Sequence, residues 1–187
     1  MRLLAALAAA ALLVGCANSG TGVVPPRTVE QVDLTRYQGL WYEQARLPMF
    51  FQRNCAQSEA LYELQEGGTI GVTNRCRTYD GDMQQVQGQA VAQVPGKTNK
   101  LWVRFDNWAS SLLPGLTKGE YWVLYLDDGY QAALVGHPNR KYLWLLTRDQ
   151  DASAKYLATL LEEARSRGYD TRELIWRRTN AEMALQR

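Results

Sequence analysis

The stretch Gly39-Leu40-Trp41-Tyr42-Glu43-Gln44-Ala45-Arg46 sets two large aromatic side chains directly after a glycine and follows them with an acid, a glutamine, an alanine and a base. Side chains two apart share one face of a pleated backbone, so the segment reads as a strand with Trp41, Glu43 and Ala45 on one side, continuing to Leu47. A tryptophan therefore stands at the very start of a strand, and the rest of the chain has to supply what it packs against.

Downstream, Ser58, Ala60, Tyr62 and Leu64 share one parity, Glu66-Gly67-Gly68 supplies a turn, and Ile70, Val72, Asn74 and Cys76 continue the same inward pattern on the return. That is a hairpin. Its turn brings Cys55 and Cys76 towards each other, although a regular ladder through Gly67 does not pair them and a bulge or irregular lead-in is needed. Further strands are read at 84–94, closed by Pro95-Gly96, at 100–105, at 120–126, closed by Asp127-Asp128-Gly129, at 130–135, closed by His137-Pro138-Asn139, and at 141–148. Eight short strands at even spacing indicate an antiparallel sandwich or barrel.

The pattern breaks at 149–168, where Tyr156, Leu157, Leu160, Leu161 and Ala164 form an apolar stripe at helical spacing, with Asp151 or Ser153 as cap and Gly168 as stop. A last apolar strand, Leu174-Ile175-Trp176, follows. One helix after eight strands favours a closed barrel with the helix packed outside, because the stripe needs a convex wall to cover.

At this point Gly39-Leu40-Trp41-Tyr42-Glu43 resembles the G-x-W-Y-E signature of the lipocalins, and Arg148, just after the eighth strand, stands where that family keeps its basic partner. The resemblance extends from about Asp33 to Thr179. It includes Leu126-Asp127, Tyr130, Ala133-Leu134-Val135-Gly136, Pro138, Arg140 and Tyr142-Leu143-Trp144, which look like the bacterial outer-membrane lipocalins and their apolipoprotein D and plant temperature-induced relatives. It implies an eight-stranded up-and-down antiparallel β-barrel, open at one end, with one C-terminal helix outside. Gly39 then lets the entering chain turn across the closed end, Trp41 plugs that end, and Arg148 covers the indole in a cation-π contact of about 0.5–2 kcal/mol. Gly39, Trp41, Tyr42, Glu43 and Arg148 are structural on this reading.

The first residues, MRLLAALAAAALLVGC, carry one base, an apolar run from Leu3 to Val14 and a small residue before Cys16. The run is too short for a membrane span of about 20 residues and suits the core of a signal peptide. Leu13-Val14-Gly15-Cys16 resembles the bacterial lipobox, with cleavage before a lipid-bearing Cys16, and Ala17 in place of an aspartate favours the outer membrane. The expected organisation is a signal peptide over 1–15, a lipidated tether over 16–31 that is rich in Gly, Ser, Thr and Pro, the barrel domain over 32–179 and a tail over 180–187, with the protein held at the outer membrane and facing the periplasm. Lipidation of Cys16 leaves Cys55 and Cys76 as an even pair in an oxidising compartment. A disulfide is the simplest reading; two buried free thiols are the alternative.

The formal charge of the chain is +2, and removal of Arg2 with the leader leaves 20 bases against 19 acids. No basic stripe supports nucleic-acid binding.

A barrel of this size can enclose one small ligand. By parity its lining receives Ala60, Tyr62, Ile70, Val72, Ala90, Leu101, Val103, Phe105, Tyr121, Val123 and Tyr125, besides the inward residues of the first strand. An apolar and aromatic wall with a few hydroxyls suits an acyl chain with a modest polar head, so a fatty acid or lysophospholipid is the expected ligand. An inward Glu43 is read as half of a buried pair with Arg46 or Arg148. The segment 107–116 carries Trp108, Leu112, Leu113 and Leu116, an apolar loop at the open rim that either dips into a membrane or folds over the mouth as a lid. His137, the only histidine, lies in a Gly-His-Pro turn with no nucleophile elbow or metal spacing near it, so no catalytic site, metal or cofactor is expected. Some lipocalins are isomerases that use a barrel thiol, and Cys76 keeps that class open. A structural envelope lipoprotein is the third class, and the oligomeric state, a homodimer included, stays open.

Overall fold

The computed structural model describes residues 24–106 and 118–185. The signal-peptide and lipobox readings, Cys16 among them, and the apolar loop with Trp108, Leu112, Leu113 and Leu116 fall outside the described residues.

A short helix α1 (Leu34–Tyr37) precedes the strands β1 (Gly39–Arg46), β2 (Cys55–Leu64), β3 (Ile70–Thr78), β4 (Met83–Val94), β5 (Lys97–Phe105), β6 (Gly119–Leu126), β7 (Ala132–Gly136) and β8 (Leu143–Thr147). Helix α2 (Ala154–Ser166), strand β9 (Ile175–Trp176) and helix α3 (Asn180–Ala184) complete the described chain. Neighbouring strands pair antiparallel in the order β2-β3-β4-β5-β6-β7-β8-β1, and a β1–β2 pairing closes the ring. The eight expected strands form the barrel. The ninth lies outside it, paired with the second half of β1 through Ala45 and Arg46.

Alternation along the strands sorts apolar side chains into two layers. The inner layer lines the barrel with Val32, Tyr37, Trp41, Ala60, Tyr62, Ile70, Val72, Ala90, Leu101, Val103, Val123, Ala133, Val135 and Leu146. The outer layer, on β7 and β8, meets Leu160 and Ala164 of α2, both fully buried. Ser153 caps α2 by accepting from the amide of Tyr156, and Gly168, at φ +80°, ends it.

Two bulges, between Glu43 and Ala45 in β1 and between Val123 and Tyr125 in β6, interrupt the alternation. Each adds a residue to one strand and reverses the parity beyond it. Ala45, Leu47 and Tyr125, expected inside, therefore pack in the outer layer, while Leu126 and Arg46 turn inward. A third irregularity, between Cys55 and Gln57, is the one the hairpin required: it brings the Cys55 and Cys76 Cα atoms to 5.5 Å, and the two are joined as a disulfide.

Two elements were not anticipated. Helix α1 is started by Asp33, whose carboxylate accepts from the amides of Thr35 and Arg36. Helix α3 lies where a tail was expected, and Thr179 with Glu182 forms a capping box at its start.

Candidate functional site

The closed end of the barrel is built on Gly39. Its φ of +97° is open only to glycine at low cost, and a Cβ there would sit 3.2 Å from the Arg148 guanidinium. The turn swings Trp41 across the barrel axis, where it is fully buried and donates from Nε1 to the carbonyl of Tyr37 at 2.8 Å. Arg148 lies 4.0 Å over the indole. Its guanidinium donates to the carbonyls of Leu40, Arg36, Tyr37, Gln38 and Tyr130. One side chain thus satisfies the carbonyl end of α1 and the entry to β1 together.

Beside the plug, Tyr37, Tyr62 and Tyr121 converge. Tyr37 stacks on Tyr62 with ring centroids 5.6 Å apart, and Tyr62 meets Tyr121 edge-on at 5.9 Å. Their hydroxyls form a chain, Tyr37 to Tyr121 at 2.7 Å and Tyr121 to Tyr62 at 3.0 Å. Desolvation raises all three phenols, Tyr62 up to about 12, because a phenolate at this depth would lose its hydration. These groups are neutral donors at any physiological pH.

Connections β1–β2, β3–β4 and β7–β8 lie at the opposite end, as do the end of β5 and the start of β6. The bulge in β1 sets Glu43 and Arg46 side by side, 2.7 Å apart and almost wholly buried. Arg46 also donates to the carbonyls of Gln52 and Cys55 at 2.8 Å each. Gln52 donates to Glu43 and accepts from Trp144 Nε1 at 3.0 Å. Phe51, Tyr142, Trp144 and His137 form an aromatic cluster at this rim. Glu43 thus pairs with Arg46, one of its two expected partners, while Arg148 serves the floor.

Between the two ends lies the expected lining. Ala60, Tyr62, Ile70, Val72, Ala90, Val103 and Val123 are buried in the inner layer, with Phe105 and Tyr121 packed against them. Tyr125 is absent from this set: it faces Tyr156 on the helix side. Phe105, Tyr121 and Trp144 keep accessible surface on an inward face, and Val86 and Asn74, paired across the strands with each other and, through Asn74, with Ala60, do the same. Incomplete burial of these inward residues marks where the inner layer is less closely packed than elsewhere. Asn74 adds a buried amide oxygen with no hydrogen-bond partner. By contrast, an open groove of about 440 Å³ lined by Glu30, Gln93, Val94, Lys97, Asn99 and Lys100 lies outside the barrel and is too polar for a lipid chain.

Cys76, the one thiol kept open for catalysis, is held in the disulfide and has no thiolate to offer. His137 stays in its turn, accepting from the amide of Asn139 and lying 3.6 Å from Glu120. No group of three or more metal-ligating side chains occurs among the described residues. Tyr37, Gln52 and Trp144 were not singled out from the sequence as site residues; the Tyr37 spacing of four before Trp41 was the available signal.

A family model described as a lipocalin-like domain matches residues 32–179. The chain is 38% identical to temperature-induced lipocalin-1 of Arabidopsis thaliana over 148 residues, 78% of each chain. It is 34% identical to outer membrane lipoprotein Blc of Vibrio cholerae over 178 residues, 94% of this chain and 98% of that one. Among solved structures, insecticyanin from the tobacco hornworm Manduca sexta superposes with a TM-score of 0.64 at 20% identity, covering 86% of this chain and 87% of that one. Lobster apocrustacyanin A1 does so at 0.59 and 16% identity, over 82% and 89%. Both structural likenesses support the barrel alone.

Proposed function

The chain belongs to the lipocalin family, and on that premise we propose that it binds single-chain lipids, fatty acids or lysophospholipids, inside the barrel and stores or carries them in the cell envelope. The observation that carries this is the inner face: an apolar wall over Ala60, Ile70, Val72, Ala90 and Val103, with surface left on Phe105, Tyr121 and Val86 facing inward. Ten or so buried methylenes at about 0.8 kcal/mol each sum to about 8 kcal/mol, which sets a Kd near the micromolar range as the limit before ordering losses. The Glu43–Arg46 ion pair leaves neither group free for a ligand, so the apolar chain supplies most of the affinity.

Envelope placement draws on the relatives named outer membrane lipoprotein and on the lipobox-like sequence ending in Cys16. In this reading lipid on Cys16 tethers residues 16–31 to the outer membrane, the barrel over 32–179 faces the periplasm, and the loop with Trp108, Leu112, Leu113 and Leu116 meets the bilayer surface during transfer. Cys16→Ser then abolishes acylation.

The test of binding is a titration of the chain from Val29 onward with fatty acids of rising length and with lysophospholipid. Saturable binding that strengthens with chain length and then levels off is expected. Ala60→Trp, which fills the lumen from the wall, should abolish it without unfolding the barrel. Binding unaffected by Ala60→Trp would place the ligand elsewhere.

A further inference from the structure

The tyrosine chain at the floor holds one proton too many for the protein around it. A phenol has a single proton. Tyr121 spends its own on Tyr62, so in the contact between Tyr37 and Tyr121 the donor is Tyr37. The direction of the whole chain is thereby set, from Tyr37 to Tyr121 to Tyr62. The Tyr62 hydroxyl accepts from its neighbour, and its own proton meets no acceptor among the described residues. Tyr62 stands in the inner layer beside Val72 and edge-on to Tyr121, a ring that keeps accessible surface inside the barrel. Two pairs further along the same two strands, the Asn74 amide oxygen is buried and unpartnered. A hydroxyl proton without an acceptor and an amide oxygen without a donor on the inner face of the barrel are a demand for a polar atom in an occupant.

From this we infer that the barrel takes its lipid head-down: an uncharged oxygen, the hydroxyl of a long-chain alcohol, the carbonyl of a ketone or a protonated carboxyl, lies at the floor and accepts from Tyr62, and the hydrocarbon runs up towards the mouth. This rests on the lipid-binding reading and narrows it. The oxygen is uncharged because the floor offers it a single neutral donor. The nearby cation, Arg148, is spent on five carbonyls and covers the Trp41 indole that closes the floor. An ionised carboxylate would be desolvated there without a counter-charge. A bare methyl end would leave the Tyr62 proton unpaired.

The experiment compares decan-1-ol with undecane, which have the same number of heavy atoms, on the wild-type chain and on Tyr62→Phe, by competition with a fluorescent apolar probe. Decan-1-ol should lose about 3- to 10-fold in affinity on Tyr62→Phe, the worth of one hydrogen bond, while undecane should bind both proteins within twofold. An equal change for both ligands would overturn the head-down orientation and leave lipid binding standing. Failure of both to bind the wild-type chain would overturn both readings. A measurement on the unsubstituted protein guards against a misfolded variant: the carbonyl stretch of bound, isotope-labelled undecan-2-one. It should lie at lower wavenumber than in hexane, as a hydrogen-bonded carbonyl does, and a hexane-like position would contradict the inference.

Discussion

Replacing Trp41 by alanine removes the side chain that closes the barrel. Trp41 has no solvent exposure, packs at a tilt against Tyr37 with ring centroids 5.0 Å apart and lies under Arg148 at 4.0 Å. An aromatic side chain buries about 150–250 Å², which at about 25 cal/mol per Å² amounts to roughly 4–6 kcal/mol. Alanine retains a small part of that, so Trp41→Ala should cost about 3–5 kcal/mol, in the range of other large aromatic deletions. Trp41→Phe keeps a ring over the floor and loses the donor to the Tyr37 carbonyl, and should cost about 1–2 kcal/mol. Arg148 is half-buried, so water can take over part of its five carbonyl contacts, and Arg148→Ala should fall below Trp41→Ala, at about 1–3 kcal/mol. The assay is urea unfolding followed by tryptophan fluorescence and circular dichroism. A double-mutant cycle over both positions should give a coupling of about 0.5–2 kcal/mol, since the cation and the indole face touch. Trp41→Ala unfolding with the midpoint and cooperativity of the parent protein would refute the plug.

The buried ion pair predicts an asymmetry: Arg46→Met leaves Glu43 without its cation and should cost about 3–5 kcal/mol, whereas Glu43→Met with Arg46→Met should recover at least half of that loss in the same unfolding assay. Breaking the Cys55–Cys76 bridge by Cys76→Ser should lower stability by about 3 kcal/mol, because the 21-residue separation is no longer closed in the unfolded chain, and a reductant should then have no further effect. Alkali should act through the floor tyrosines. Their native pKa values are raised, so their contribution is complete below the ordinary phenol value of 10.0 and is lost as pH climbs towards about 12, when the unfolded chain ionises first. Each such phenol steepens the loss by up to about 1.4 kcal/mol per pH unit, and Tyr62→Phe should flatten the decline measured by denaturation at a series of pH values.

The barrel was legible because it is carried by local signals: alternation in each strand, turn residues between them, and an apolar stripe that sets α2 apart. The plug was legible through Gly39, Trp41 and Arg148, whose spacing resembles a family pattern. Parity carried most of the lining, from Ala60 to Val123, and failed where the backbone gains a residue. Nothing local in Glu43-Gln44-Ala45 or Val123-Leu124-Tyr125 announces a bulge, which arises from how neighbouring strands must coil to close the ring. Ala45, Leu47 and Tyr125 were misplaced for that single reason, and Arg46 became a partner of Glu43 by the same displacement. The tyrosine chain lay beyond reach for another reason. Tyr37, Tyr62 and Tyr121 come from three elements, 84 residues apart at the extremes, and only the closed barrel brings their hydroxyls within hydrogen-bonding distance.

The most direct test of lipid carriage is native mass spectrometry of the protein extracted from membranes of cells that express the full chain. One non-covalent, single-chain lipid per barrel is expected, released by collisional activation, displaced by added decan-1-ol and missing from Ala60→Trp. An empty barrel in the parent protein, together with a melting temperature that no fatty acid, lysophospholipid or long-chain alcohol shifts, would contradict lipid carriage.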